Sequence, residues 1–358
     1  MEPQDEGGSN GHGNTSGLTL GLVPSPVYSE TIVKRITCEL PDVLRRQSGW
    51  EGTWDLATEP DPLTGANVDI GKMLAAVISH KDRSRWDVAV ALTDLPIREH
   101  GVTIIAEGQS GRKAAVLSVP ALGVVQIDKR VMESIAHLVC EMGAEGGASD
   151  SDAIDIRWTA PRAFGTVGLL AGMVYANRPW SLFPSFKTTV ATAFATGGYG
   201  LIFTTLWEIG NIYGYGRLVT LMVVAMTILV SWIIIAHQLW ETNRTDVSQY
   251  QRSLYNATTV ATIAVGVVFA YVLIFVLLLL AAVVYIPTSM LESTIDAPVM
   301  PMSYVRIAWV TASVATIAGA IGAGLEDSEA VRNATFGWRQ INRWREYSRK
   351  TGDDSGEE

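Results

Sequence analysis

The sequence predicts an N-terminal α/β soluble domain followed by an all-α C-terminal bundle of four transmembrane helices. Three observations carry this reading. The first part alternates short β-branched runs with amphipathic stretches, the second part holds four long uncharged apolar segments, and charge is divided unevenly between the two. At 358 residues the chain has room for about two domains.

The apolar segments come first because they set the solvent. Bilayer hydrocarbon is about 30 Å thick and takes ~20 apolar residues of helix to cross. Residues 188–207, 218–236, 257–286 and 307–324 qualify, and none contains Asp, Glu, Lys, Arg or His. Ionisable groups inside a membrane usually mark ion-coupled transport or proton pumping, so their absence from these segments counts against an active transporter. On the fourth segment Ala315, Gly319 and Ala323 recur at helical spacing, a pattern that lets helix backbones approach closely, within one bundle or between copies of the chain.

Orientation follows the arginine count. Four spans place on one side Arg157, Arg162, Arg178, Lys187, Arg244 and Arg252, together with Arg332, Arg339, Arg343, Arg345, Arg349 and Lys350. The other side receives Arg217 and Arg306. Basic residues gather in the cytoplasm, so a multi-pass protein of the cell membrane with both termini cytoplasmic is expected. The start, MEPQDEGGSNGHGNTSG, has neither the basic nor the apolar region of a signal peptide, and residues 1–17 read as a disordered tail. Residues 163–180 are apolar, Gly-broken and finish in Arg178 and Trp180, which suits a helix lying in the membrane interface. Residues 326–358 read as a cytoplasmic amphipathic helix, acids first and arginines last, with Phe336, Trp338, Ile341, Trp344 and Tyr347 interleaved, then an acidic tail.

The soluble domain is expected over residues 18–147. Residues 1–147 carry 13 Lys/Arg and 20 Asp/Glu, a net −7, with no basic stripe, which excludes a typical nucleic-acid surface. Leu18, Leu20 and Leu22 alternate as in a strand, and Ser25-Pro26 reads as the N-cap and first residue of a helix with Ile32, Ile36 and Leu40 inward. Pro41 ends or kinks that run. EGTWDLATE is a second strand, and Asp69 caps a helix whose inner face is Ile70, Met73, Leu74, Val77 and Ile78. DVAVALTD is nearly continuous in apolar residues, as a strand buried on both faces must be. VTIIA and AAVLSV follow as strands across EGQSGRK. A last helix runs from about Asp128 to Met142, buries Val131, Ile135, Leu138 and Met142, and stops at Gly143. Strands alternating with helices predict a sheet that is at least partly parallel. GAEGGASDSD then begins a linker, so that 148–187 holds linker and interfacial helix and 188–325 the transmembrane domain. Cys38 and Cys140 fall at positions that read as buried and form no CxxC, which fits a reducing compartment.

Chemistry is searched for where α/β sheets place it, outside the carboxyl ends of the strands. Ser25, Asp94, Arg98, His100 and Ser118 fall there, and a carboxylate, a guanidinium, an imidazole and two hydroxyls on one rim suit a polar ligand. The bland alternative pairs Asp94 with Arg98. Glu133, His137 and Glu141 share a helix face at metal-ligand spacing, but Arg130 lies on it too, and a solvated charge ladder explains that face better. No cofactor or metal is expected, since GxxxxGK[ST], GxGxxG after the first strand and GxSxG are all missing.

Two resemblances add to this. The order TDLP, AAVLSVPALG and a helix from Arg130 resembles the archaemetzincin kind of zinc protease, whose helix carries HExxHxxGxxH. His137 matches the first ligand, but Leu138 stands in place of the catalytic Glu, Glu141 in place of the second His, and nothing after Gly143 supplies a third ligand. The resemblance thus implies a fold echo without peptidase chemistry. Over most of its length, through WDVAVALTDLPIR, AVLSVPALG, LLAGMVYANRPW, AHQLWE, LYNATTVATI and GAGLEDSEAVRNATFGWRQ, the chain resembles a family of uncharacterised actinobacterial membrane proteins. That resemblance implies the same layout and no activity. Three functions compete: a non-enzymatic membrane-anchored module binding a cytoplasmic protein or small polar ligand, a membrane-tethered enzyme built on Asp94, Arg98 and His100, and a passive channel or facilitator formed by an oligomer.

Overall fold

The computed structural model describes residues 17–26, 28–50, 52–61, 70–99, 102–144, 153–160, 162–177, 179, 182, 186–240 and 249–323. The expected N-terminal tail, the Asp69 cap, His100, most of the Gly-rich linker and the basic C-terminal helix lie outside the described residues. The chain divides into two compact units, one running to Leu169 and the other starting at Leu170.

In the first unit, β1 (Leu18–Pro24) leads through α1 (Tyr28–Ile36) and α2 (Leu40–Ser48) to β2 (Trp54–Thr58). Then α3 (Ile70–Ser84) leads to β3 (Val88–Thr93). Next come β4 (Ile97–Glu99), β5 (Val102–Gln109), β6 (Ala114–Ser118), a 3-10 turn at Val119–Leu122, α4 (Ile127–Ala144) and β7 (Ile156–Thr159). The seven strands form one mixed sheet in the order β2-β1-β3-β6-β5-β4, with β7 also on β5. The pairs β1–β2, β1–β3 and β3–β6 are parallel, and the three pairs made by β5 are antiparallel.

The register resolves the branch at β5. Ile104 pairs with both Ile97 of β4 and Thr159 of β7, and Ala106 with both Leu117 of β6 and Trp158 of β7. A residue has one hydrogen-bonding edge on each side. Therefore β4 and β6 lie end to end along one edge of β5 while β7 takes the other. The register shift between Ile104 and Ala106 is a bulge at Ile105, which turns Glu107 to the same face as Ile104.

Every residue of β3 is buried, as its unbroken apolar run requires. Ala89 and Ala91 face α3, whose Met73, Leu74 and Val77 are fully buried beside Trp86, Ile104 and Val116. Burying such side chains contributes ~1.5–3 kcal/mol each, which is what holds α3 to the sheet. On the other face α1, α2 and α4 pack together. There Ile32, Ile36, Leu40 and Leu44 join Val131, Ile135 and Leu138 in the core.

Several expectations need correction. Pro26 is not the first helical residue, because α1 begins at Tyr28. Pro41 sits in the first turn of α2, where its missing N–H costs nothing, and Gly49 closes that helix at φ 64°. The loop expected after Asp94 holds β4, formed because a three-residue edge pairing with β5 satisfies its backbone. Helix α4 runs through Gly143 to Ala144. Cys38 is exposed between α1 and α2, and Cys140 is only half-buried. The stretch expected as linker contributes β7, which adds a strand to the sheet.

The second unit is helical: the end of α5 (Arg162–Ala176), then α6 (Lys187–Gly200), α7 (Thr204–Ile212), α8 (Tyr215–Ala236), α9 (Gln249–Tyr285), α10 (Thr288–Ile295) and α11 (Pro301–Ala323). Among the described residues three stretches are long and apolar enough to cross a membrane: Tyr215–Ala236, Arg252–Tyr285 and Pro301–Ile321. They overlap the second, third and fourth spans expected. The first expected span, 188–207, is not a continuous helix. It stops at Gly200 and restarts at Thr204, because Gly197, Gly198 and Gly200 weaken the helix there. Three continuous candidate spans therefore stand where four were expected. A large share of α8 and α9 faces outward with apolar side chains, Val224, Ile228, Trp232, Val272 and Val284 among them, as a lipid-facing surface does.

Candidate functional site

The strand order supplies the site's location. From β1 the chain steps to β2 on one side and then crosses back to β3 on the other, so the order reverses at β1/β3. A crevice at such a reversal, outside the carboxyl ends of the strands, is where open α/β sheets bind ligands. Pro24 is paired with Leu92 and Thr93 with Ser118, so the residues that follow these ends come together.

Three of the five expected residues meet there. Ser25 Oγ donates to Asp94 Oδ1 at 2.9 Å, joining the end of β1 to the end of β3. Ser25 Oγ also lies 3.2 Å from Ser29 Oγ in the first turn of α1. A hydroxyl has one proton; with that of Ser25 given to Asp94, Ser29 is the donor in the second bond. Ser118 Oγ donates to the Leu95 carbonyl at 2.7 Å, and Leu95 N–H donates to Thr93 Oγ1 at 3.1 Å, which fixes the turn holding Asp94. Ser25, Ser29, Thr93 and Ser118 are fully buried and Asp94 is 3% exposed. The expected N-cap role of Ser25 thus gives way to a tertiary bond, while its carbonyl accepts from Glu30 N–H at 3.2 Å. Helix α1 starts directly at this rim and brings the positive end of its dipole to it. Arg98 is half-buried on β4, four residues beyond Asp94, and His100 lies outside the described residues.

Sequence reasoning missed a second polar group beside this one. Asp61 N–H donates to the Pro24 carbonyl at 3.2 Å, just past the end of β2. His80 on α3 places Nε2 2.8 Å from Asp61 Oδ2 and Nδ1 3.3 Å from Glu59 Oε1. The Nε2–Asp61 contact is a hydrogen bond and clips α3 to the end of β2, while Nδ1 faces Glu59 without hydrogen-bond geometry. The only signal for it was a pair of acids closing a strand, which in a sequence looks like any turn.

The remaining polar residues do other work. On α4, His137 is exposed and stacks edge-on with Trp158 at 6.3 Å, Glu141 accepts the Trp158 indole N–H at 3.1 Å, and Glu133 pairs with Lys129. This stripe is a solvated face that also receives β7. Among the described residues no three His, Cys, Asp or Glu side chains group to hold a metal ion. The Cys140 thiol is pushed up by burial and by the charge of Glu141, which makes it a poor nucleophile.

At the start of β7, burial acts to raise the Asp155 carboxyl above its ordinary 3.8. The Ser110 hydroxyl and N–H, together with the backbone of Asp155 and Ile156, outweigh that and hold it lower. A carboxyl depressed in the folded state adds stability that is present above its unfolded value and is lost as pH falls through the folded one. Ser110→Ala is therefore expected to move the Asp155 titration upward and to make β7 loosen at a higher pH. Carboxyl chemical shifts followed across an acid titration check this; an unmoved titration contradicts it.

A groove of about 520 Å³ lies between α2 and α4, and one of about 530 Å³ between α8 and α9; neither is lined by Ser25, Asp94 or Ser118. The rim is closed. No protein-family model, no curated protein and no solved structure matches the chain, so neither resemblance read from the sequence has a counterpart among them.

Proposed function

We propose that the chain is a membrane-anchored, non-enzymatic module whose α/β unit lies on the cytoplasmic side and binds a small polar ligand at the β1/β3/β6 rim. The observation that carries this is the Ser25–Asp94 bond of 2.9 Å at the reversal of strand order. It keeps an acceptor-rich carboxylate and three hydroxyls at the place where this architecture takes ligands. A ligand carrying a hydroxyl or amine displaces Ser25 Oγ from Asp94 when the Asp94–Pro96 turn lifts, and Ser118 lets go of Leu95 in the same movement. The spans hold the module in the bilayer, and the arginine bias supports the cytoplasmic side when the chain crosses four times, since three crossings would set Arg244, Arg252 and the C-terminal arginines opposite the α/β unit.

The test is a thermal-shift screen of the full chain in detergent against free amino acids, monosaccharides and nucleosides. A binder at 100 times its Kd stabilises by about 2.7 kcal/mol, roughly 5–10 °C for a unit of this size. Asp94→Asn should abolish the shift while leaving the fold intact. If no compound in these classes shifts the melting, or if the shift survives Asp94→Asn, the rim is not the site.

A further inference from the structure

The interrupted segment α6–α7 packs in a way that helix length alone does not reveal. A Cβ on Gly319 of α11 would lie 3.0 Å from the Ala193 Cβ and 3.2 Å from the Thr189 carbonyl. One on Gly197 would touch Ala315, and one on Gly200 would touch Thr311. One on Gly210 would meet the backbone of Ile307 at 3.1 Å. Finally, Arg306 donates to the carbonyls of Asn211 at 3.3 Å and Tyr213 at 3.2 Å. As the number rises from 189 to 213, the partner on α11 falls from 319 to 306. The two halves therefore follow α11 antiparallel over 13 residues, about 20 Å of helix axis, and do not double back.

The other helices keep the same levels. Leu182, Phe186, Leu229, Ile233, Ile263 and Ala320 meet at one end. At the other, Tyr304 OH donates to the Ile286 carbonyl at 3.0 Å, and Arg306 lies over the Tyr215 ring.

The break is also built for lipid. Irregular backbone at membrane depth must satisfy itself. Leu201, Ile202 and Phe203 N–H donate to Gly197, Tyr199 and Gly200 carbonyls at 3.0, 3.1 and 3.0 Å. The Leu201 carbonyl accepts the buried Trp207 indole N–H at 2.9 Å. Outward from the bundle this segment shows Phe194, Tyr199, Ile202, Phe203 and Ile212, and its exposed charges are Lys187 at one end and Glu208 toward the Arg306 end.

We infer that α6 and α7 together cross the bilayer as one interrupted span. With α8, α9 and α11 they make an up-and-down bundle of four crossings, so Lys187 and the end of α11 face the same compartment. Ligand binding at the rim does not depend on this, so either idea can fail alone.

The test uses single-cysteine variants Lys187→Cys and Gly214→Cys in a Cys38→Ser/Cys140→Ser background, both positions being exposed. A membrane-impermeant maleimide is applied to right-side-out and inside-out vesicles. Gly214→Cys is expected to label tenfold or more faster in right-side-out vesicles and Lys187→Cys in inside-out ones. Both must also label in detergent, which reports a folded, accessible chain. Labelling of the two from the same side overturns the inference, as does a site that stays unlabelled in detergent.

Discussion

Gly21→Ala is expected to destabilise the α/β unit by about 3 kcal/mol, roughly 6–12 °C in its melting. The indole of Trp86 lies flat on β1 at this position, and a Cβ on Gly21 would sit 1.8 Å from its Cε3 atom. Such a contact cannot be absorbed by a small shift. Trp86 is 9% exposed and packs with Met73, Ala89 and Ala91, so moving its ring opens the core between α3 and the sheet. Gly21 is not needed for a turn: it lies inside a strand, paired with Ala57 and Ala89, and serves close approach. Trp86→Leu in the Gly21→Ala background should recover much of the loss by making room. Chemical denaturation of the full chain in detergent, read by Trp fluorescence or near-ultraviolet dichroism, gives both numbers. Equal stability of Gly21→Ala and the natural chain would show that the ring moves freely, which its burial argues against.

That pair also shows what could be read in advance. The strands β1, β3, β5 and β6, and the helices α3 and α4, were legible because local pattern and tertiary role agree in them. Val88 to Thr93 has to be buried on both faces whatever surrounds it, and Met73, Leu74 and Val77 share a stripe whether or not Trp86 is known. What escaped depends on distant partners. The three residues of β4 carry too little pattern to mark a strand, and only the edge offered by β5 makes them one. The β7 strand follows a Gly-rich stretch and is recruited by Trp158 and Arg157 reaching α4 and β5.

At the rim, Ser25 and Asp94 were picked out by position, since strand ends are predictable. Their direct bond across 69 residues of chain was not, and neither was the clip of His80 by Asp61. Of the four segments expected in the helical unit, hydrophobicity located three as continuous candidate spans, because lipid tolerates little else. It could not see that Gly197, Gly198 and Gly200 interrupt the first, since a glycine-broken helix and a whole one have nearly the same composition.

Arg157→Ala is expected to cost roughly 2–4 kcal/mol, and the reason lies in its partner. Glu107 was turned into the sheet's core face by the bulge at Ile105, and its side chain is 2% exposed. Its Oε1 accepts from Arg157 Nη2 at 3.0 Å, while Oε2 has no hydrogen-bond partner. The Glu107 bond and charge raise the Arg157 guanidinium pKa; burial opposes them and Glu99 adds to them. Removing the arginine leaves a buried carboxylate with nothing to meet its charge, which costs far more than the pair itself contributes. The figure is set below the fully buried range because Arg157 is 45% exposed and water can reach the gap it leaves. Glu99 pairs with the same guanidinium at 2.7 Å, but at 44% exposure Glu99→Ala should cost less than about 1 kcal/mol. Glu107→Gln in the Arg157→Ala background separates the two explanations. If the loss comes from a stranded charge, the neutral amide restores most of it. If instead Arg157 matters through the packing of its methylene stem against β5, the double variant stays as unstable as the single one, and the stranded-charge account is wrong.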